Sequence, residues 1–137
     1  MMRWIEGAFA FVVLNLTAII VVLLWAVTMA FAHFSGKRTG VILSPALHPQ
    51  YRQTVHTYTL GTEITISGEE CPLQAGPEAL LNHLDANTAL VIVQYPDFFG
   101  RIYDYSALAE AVHQAGALLA VAVNPIALGM LKPPGEF

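Results

Sequence analysis

Ala89-Leu90-Val91-Ile92-Val93-Gln94-Tyr95-Pro96-Asp97-Phe98-Phe99-Gly100 is the stretch whose reading decides the fold. Five apolar residues in succession, followed by a Pro- and Gly-containing turn, leave no polar face for solvent. Such a run suits a central parallel strand covered on both sides. Pro96 to Gly100 then forms a loop at the strand's C-terminal end.

Working outward from this strand, the neighbouring segments alternate in type. Downstream, Asp104 and Ser106 offer helix caps, and Leu108, Ala111, Val112 and Ala115 make an apolar helix face. Gly116 stands just past that helix, and Leu118 to Val123 form another strand, broken by Asn124-Pro125. Upstream, Gly76-Pro77 opens a predicted helix with Leu80, Leu81 and Leu84 as its buried stripe. Ile64-Thr65-Ile66 is a strand. Before it, Pro49 starts a helix whose Tyr51, Val55 and Tyr58 share a face, and Gly61 stops it. Val41-Ile42-Leu43 is the first strand, ended by Ser44-Pro45. Strand and helix in strict alternation predict a parallel α/β sheet with right-handed crossovers. Ligands of such sheets lie beyond the C-terminal strand ends, here Ser44 to His48, Gln94 to Gly100 and Asn124 to Gly129. The sequence closes on Lys132-Pro133-Pro134-Gly135-Glu136-Phe137 with no final helix, which suggests a truncated sheet.

Composition narrows the function. The chain of 137 residues is 55% hydrophobic and 12% charged, against about 25% charged residues in ordinary domains. Net charge is -4 with no run of Lys or Arg, so nucleic-acid binding is not supported. The single cysteine, Cys71, has no internal disulfide partner, and no zinc-ligand spacing occurs. No metal site is expected. Glycine-rich phosphate cradles and the Gly-x-Ser-x-Gly elbow are also missing.

Much of the apolar excess lies in the first quarter. No Asp, Glu, Lys or Arg occurs from Gly7 to Phe34. A bilayer core takes roughly 20 helical residues to cross, and this run is long enough. Three readings stay open on these residues. One is a transmembrane-like helix through residues 8–32, with Lys37 and Arg38 on the cytoplasmic side. Another is a signal peptide cut after Ala30-Phe31-Ala32, although its apolar region exceeds the roughly 7–15 residues expected. The last is a shifted reading frame or wrong start over residues 1 to about 27. The organisation expected is an apolar helical segment, residues 1–34, and an α/β domain, residues 35–137.

Among the titratable residues, His48 precedes Pro49 at a strand end, where it either touches a ligand or makes a helix-start polar contact. His56, His83 and His113 read as solvated helix residues. Lys132 lies in a Pro-rich loop, where the desolvation a Schiff-base lysine needs is absent. The aromatics of Gln94 to Gly100 make either a stacking surface or a loop packed on its own domain.

Three words stand in order: Ala46-Leu47-His48-Pro49-Gln50-Tyr51-Arg52-Gln53, Val93-Gln94-Tyr95-Pro96-Asp97-Phe98-Phe99-Gly100, and Ala122-Val123-Asn124-Pro125-Ile126-Ala127-Leu128-Gly129-Met130-Leu131-Lys132-Pro133-Pro134-Gly135-Glu136. Together they resemble subunit 1 of the two-subunit glycine-cleavage P-protein, from about Met29 to Phe137. The resemblance implies part of the large domain of the aspartate-aminotransferase-like, fold type I class of pyridoxal-phosphate enzymes. It implies an oxidoreductase system, glycine dehydrogenase (decarboxylating, aminomethyl-transferring), that passes an aminomethyl group to the lipoyl arm of the H-protein. The cofactor, pyridoxal phosphate, would act as electron sink and would be bound by the partner, P-protein subunit 2. No cofactor is expected on this fragment alone, which carries no cofactor lysine. By resemblance, Tyr95, Pro96 and Asp97 match a loop facing the cofactor in active relatives, and Asn124 matches a strand-end position where an aspartate often pairs with the pyridine nitrogen. A neutral Asn cannot stabilise a pyridinium as a carboxylate does. The cofactor-binding candidates are therefore Asn124, Tyr95, Asp97 and His48, with none assigned a catalytic role.

The resemblance implies a chain inactive alone, cytoplasmic over residues 35–137. The rivals are a membrane-anchored, non-catalytic α/β binding module and an exported domain. Central strands left as edges, with uncovered apolar faces, predict aggregation or dependence on partner chains.

Overall fold

The computed structural model describes residues 21–137. It is a three-layer α/β arrangement around one four-stranded sheet. Residues 21–33 are helical (α1). There follow β1 (Gly40–Leu43), α2 (Pro49–Thr59), β2 (Thr65–Ser67), a 3-10 helix (Pro77–His83), β3 (Thr88–Tyr95), α3 (Ser106–Gln114) and β4 (Leu118–Val123). Short 3-10 turns occupy Ala127–Gly129 and Pro134–Glu136.

All strand pairs are parallel, in the order β2-β1-β3-β4. Chain direction across the sheet therefore reverses between β1 and β3, the position where open α/β sheets hold ligands. Seven of the eight residues of β3 are buried, as the continuous apolar run predicts. Alternation divides its side chains between two cores. Leu90 and Ile92 face α1 and α2, where they meet Leu23, Val27, Ala30, Tyr51 and Val55. Val91, Val93 and Tyr95 face the 3-10 helix and α3, against Leu80, Leu108 and Val112. By contrast β4 has no fully buried residue and its first, Leu118, is exposed.

Capping follows local chemistry. His48 is the N-cap of α2, its Nδ1 accepting from the Gln50 amide at 3.2 Å, with Pro49 in the first turn. At the far end of α3, Gly116 takes φ +69°, and Ala117 N and Gly116 N donate to Val112 O and His113 O. This double bond pattern needs a left-handed residue, and glycine adopts it without a Cβ penalty.

Several expectations need correction. Tyr58 is exposed, and Thr59 completes the buried face of α2 with Tyr51 and Val55. The fourth-residue step after Val55 lies closer to the buried stripe than the third. The segment opened by Gly76-Pro77 is a 3-10 helix with Pro77 and Leu80 fully buried; three residues per turn bring Leu81 and Leu84 to the margin, where they are partly buried against the same core. In α3 the buried alanine is Ala109 rather than Ala111. Asp104 stands one residue outside the N-cap, Tyr105, and accepts from Ser106 N and Oγ at 2.9 and 2.6 Å.

The membrane reading changes most. Among the described residues no helix is long and apolar enough to cross a membrane. Most of the proposed span, residues 8–20, lies outside the described residues, as do most of those assigned to a shifted frame. The remainder, α1, is a covering helix, since Leu23, Val27 and Ala30 are buried in the same core as β1 and β3. Its opposite face is apolar too: Val22, Trp25 and Met29 are each more than 60% exposed.

Candidate functional site

The candidate residues converge at the C-terminal ends of three adjacent strands. His48 follows β1, Tyr95 and Asp97 belong to the end of β3, and Asn124 follows β4. They are physically linked. The His48 amide donates to Gln94 Oε1 at 2.9 Å, and the His48 ring lies 4.8 Å from both Tyr51 and Phe98. Phe98 N donates to Ala46 O at 2.9 Å, and Asn124 N donates to Tyr95 O at 3.3 Å.

Each side chain nevertheless has a structural partner. The Asp97 carboxylate is almost fully buried and accepts from Phe99 N, Arg101 N and Arg101 Nε at 2.9, 2.8 and 2.7 Å. Three donors on one carboxylate close the loop Pro96 to Arg101 on itself. Arg101 also donates to Leu73 O and covers the rings of Phe99 and Tyr103. Its guanidinium is held above its ordinary value, first by the hydrogen bond to Asp97. Tyr95, after which the peptide bond to Pro96 is cis, is buried and packs edge-on to Tyr105 and Phe137. Tyr105 donates from its hydroxyl to Gln94 O at 3.1 Å, and burial pushes that hydroxyl far above the usual tyrosine range. Asn124 is exposed, and its Oδ1 accepts from Ile126 N at 3.1 Å, a turn that stops β4. Of the alternatives for the aromatic loop, packing on the domain describes Tyr95, while Phe98 and Phe99 remain partly exposed.

The reversal point between β1 and β3 is filled rather than open. Its crevice, lined by Ser44, Pro45, Cys71, Leu73, Arg101 and Tyr103 among others, has a volume of about 20 Å³. That holds about one water, whereas ligand pockets run to several hundred Å³. A groove of about 680 Å³ lies elsewhere, between α1 and the starts of β3 and β4. Its lining, including Val22, Trp25, Met29, Leu118 and Leu119, is apolar and carries no chemistry beyond His33. The described residues contain no group of three His, Cys, Asp or Glu side chains placed for a metal ion.

Sequence reading missed one constellation. Cys71 Sγ lies 3.3 Å from His83 Nε2, and His83 Nδ1 lies 3.3 Å from Glu70 Oε1. His83 is thus only partly exposed and is partnered, as is His56 with Glu69. The twelve-residue separation of Cys71 and His83 follows no helix or strand period, so only the fold brings them together.

The profile of the glycine cleavage system P-protein family matches residues 22–137. The chain belongs to that family. Its match begins ahead of Met29, so the family portion includes nearly all of α1. Similar curated proteins are named "probable glycine dehydrogenase (decarboxylating) subunit 1". Those from Desulforamulus reducens, Thermomicrobium roseum and Geobacillus thermodenitrificans are 48%, 44% and 43% identical. The alignments cover 73%, 72% and 82% of this chain but only 23%, 22% and 25% of the relatives. The chain thus spans about a quarter of the length of the proteins it matches. A crystal structure of a glycine decarboxylase (P-protein) in inhibitor-bound form superposes with a TM-score of 0.61 at 35% identity, covering 80% of this chain and 24% of that one.

For this P-protein segment, the pyridoxal phosphate implied by resemblance is testable against the residues present. They do not fit it. Lys37 precedes β1, at the opposite end of the sheet from His48, and Lys132 is exposed beside Ser106. A Schiff-base lysine needs a desolvated pocket. The Asp97 carboxylate is buried and paired with Arg101 and the Phe99 amide, and Asn124 offers no charge to a pyridinium.

Proposed function

We propose that this chain serves as a segment of subunit 1 of glycine decarboxylase, a structural part of the assembly that decarboxylates glycine and passes an aminomethyl group to lipoyl H-protein. The observation that carries this reading is the family match across residues 22–137 together with a superposable parallel sheet at 35% identity. On this reading residues 35–137, with α1 attached, are part of a fold type I large domain. P-protein subunit 2 supplies the cofactor-bearing site, and the chain has no activity alone. His48, Tyr95, Asp97 and Asn124 act by shaping the strand-end loops that face the partner subunit. The commitment of every one of these groups to a hydrogen bond or ring contact within the chain supports that role.

A chimera tests the proposal. Residues 22–137 replace the matching stretch of a full-length curated subunit 1, and the product is mixed with subunit 2, H-protein, glycine and pyridoxal phosphate. Binding of subunit 2 and lipoyl-dependent release of carbon dioxide within about tenfold of the parent are expected. A folded chimera that fails to bind subunit 2 would overturn the reading.

A further inference from the structure

The Glu70, Cys71 and His83 constellation lies beyond the C-terminal end of β2, apart from His48, Tyr95, Asp97 and Asn124, and is used by nothing above. Cys71 sits in the loop after β2, and His83 is the last residue of the 3-10 helix. The two meet because Gly68 turns the chain at φ +91° against β1, directing the loop toward that helix. The Glu70 carboxylate, 3.3 Å from Nδ1, draws a proton to that nitrogen by charge and leaves Nε2 to accept from Cys71, whose thiol has Ala79 O at 3.7 Å as its other acceptor. Nucleophile, base and orienting carboxylate thus stand in sequence, each within 3.3 Å of the next. Cys71 also borders the crevice of about 20 Å³, which Arg101 helps to line. With room for about one water, that crevice keeps bulky electrophiles away from the sulfur on this side.

We propose that Cys71 is a thiol modification site oxidised by small hydroperoxides, with His83 as its base and Glu70 as the group that positions His83. The thiol proton passes to His83 Nε2 as the sulfur attacks the terminal oxygen of the peroxide. The S–O bond forms, the O–O bond breaks, and the departing oxygen takes the proton from His83. The sulfur is oxidised by two electrons to a sulfenic acid, and the peroxide is reduced to water or an alcohol. Burial, and then the Glu70 carboxylate, raise the Cys71 thiol above its ordinary value. The resting sulfur is therefore a thiol, and its reactivity depends on proton transfer during attack rather than on a standing thiolate. The remaining charged groups nearby are engaged elsewhere: Arg52 and His56 by Glu69, and Arg101 by Asp97. This inference does not depend on the glycine decarboxylase reading, because its readout is chemical modification rather than decarboxylation.

The experiment exposes the full chain to hydrogen peroxide and traps sulfenic acid with dimedone, with the rate at Cys71 read by mass spectrometry. The folded wild type is expected to react about tenfold faster than His83→Gln and about tenfold faster than the urea-unfolded chain, with Glu70→Gln between. Cys71→Ser should give no adduct. Equal rates in the wild type and a folded His83→Gln variant would overturn the proposal. If that variant does not fold, the comparison of folded with unfolded wild type decides: a folded chain that reacts no faster refutes it.

Discussion

Gly61 and Gly68 form a matched pair whose substitution by alanine separates backbone strain from close packing. Both have left-handed φ, +78° and +91°. Around Gly61 an added Cβ meets nothing within 4 Å, whereas at Gly68 it would stand 2.8 Å from both Ile42 Cγ2 and Leu43 O. For an L-residue the left-handed region costs about 1–2 kcal/mol, partly offset by roughly 0.4–1 kcal/mol from the smaller entropy of the unfolded chain. Gly61→Ala should therefore cost about 1 kcal/mol. Gly68→Ala carries the same strain plus overpacking of about 1–3 kcal/mol. The high end applies, because Ile42 and Leu43 are fully buried strand residues paired to Val91 and Ile92 and cannot retreat. The expected difference is about 2–3 kcal/mol. It is read from urea unfolding of the 137-residue chain by far-ultraviolet circular dichroism, at a concentration low enough to suppress self-association. Equal midpoint shifts for the two variants would refute the close approach of the β2 loop to β1, and with it the geometry that delivers Cys71 to His83.

The exposed apolar surface at Leu118 and the α1 groove predicts that the isolated chain self-associates; Leu118→Lys should shift sedimentation toward monomer, and an unchanged distribution would contradict this. His48→Ala removes the α2 N-cap and should cost about 1 kcal/mol, measured by thermal melting, whereas a ligand-only role for His48 predicts no loss. Asp104 is held below 3.8 chiefly by its hydrogen bonds with Ser106. Its contribution is present above the unfolded value and lost as pH falls through the lower folded value, so Asp104→Asn should melt below wild type near neutral pH and converge with it as acid protonates the carboxylate.

The fold was legible where one physical signal dominated. Apolar residues from Ala89 to Val93 left no solvated face, and the structure buries all five. Pro49, Gly116 and the Asn124-Pro125 break act through backbone restriction, so their readings survive whatever packs nearby. Errors arose where two periods compete. Leu80, Leu81 and Leu84 fit an α-helical stripe, yet the segment is a 3-10 helix in which Leu80 alone of the three is fully buried. Hydropathy likewise could not tell a membrane span from a covering helix, because α1 is apolar on both its buried and exposed faces. That distinction rests on where Leu23, Val27 and Ala30 are placed, which only the sheet determines.

The strand-end residues show the limit of reading a site from position. Placement beyond β1, β3 and β4 was correct for His48, Tyr95, Asp97 and Asn124, and the β1–β3 reversal is where a ligand is expected. Side-chain commitment decides otherwise. A buried carboxylate already paired with an arginine is not turned toward a cofactor, and a buried tyrosine packed edge-on to Tyr105 and Phe137 has its ring faces engaged within the chain. The same residues that would face a cofactor in a complete site are here the mortar of the loops. On the function proposed above, the present segment would hold the strand-end surface rigid while another chain supplies the reactive groups. The division makes a sharp demand on Asp97: its substitution should loosen the loop Pro96 to Arg101, seen as faster hydrogen exchange at the Phe99 and Arg101 amides. In the chimera, lost activity should track lost binding of subunit 2 rather than a slower turnover of the bound complex. A variant that binds subunit 2 as tightly as the parent but turns over slowly would return Asp97 to the chemistry itself.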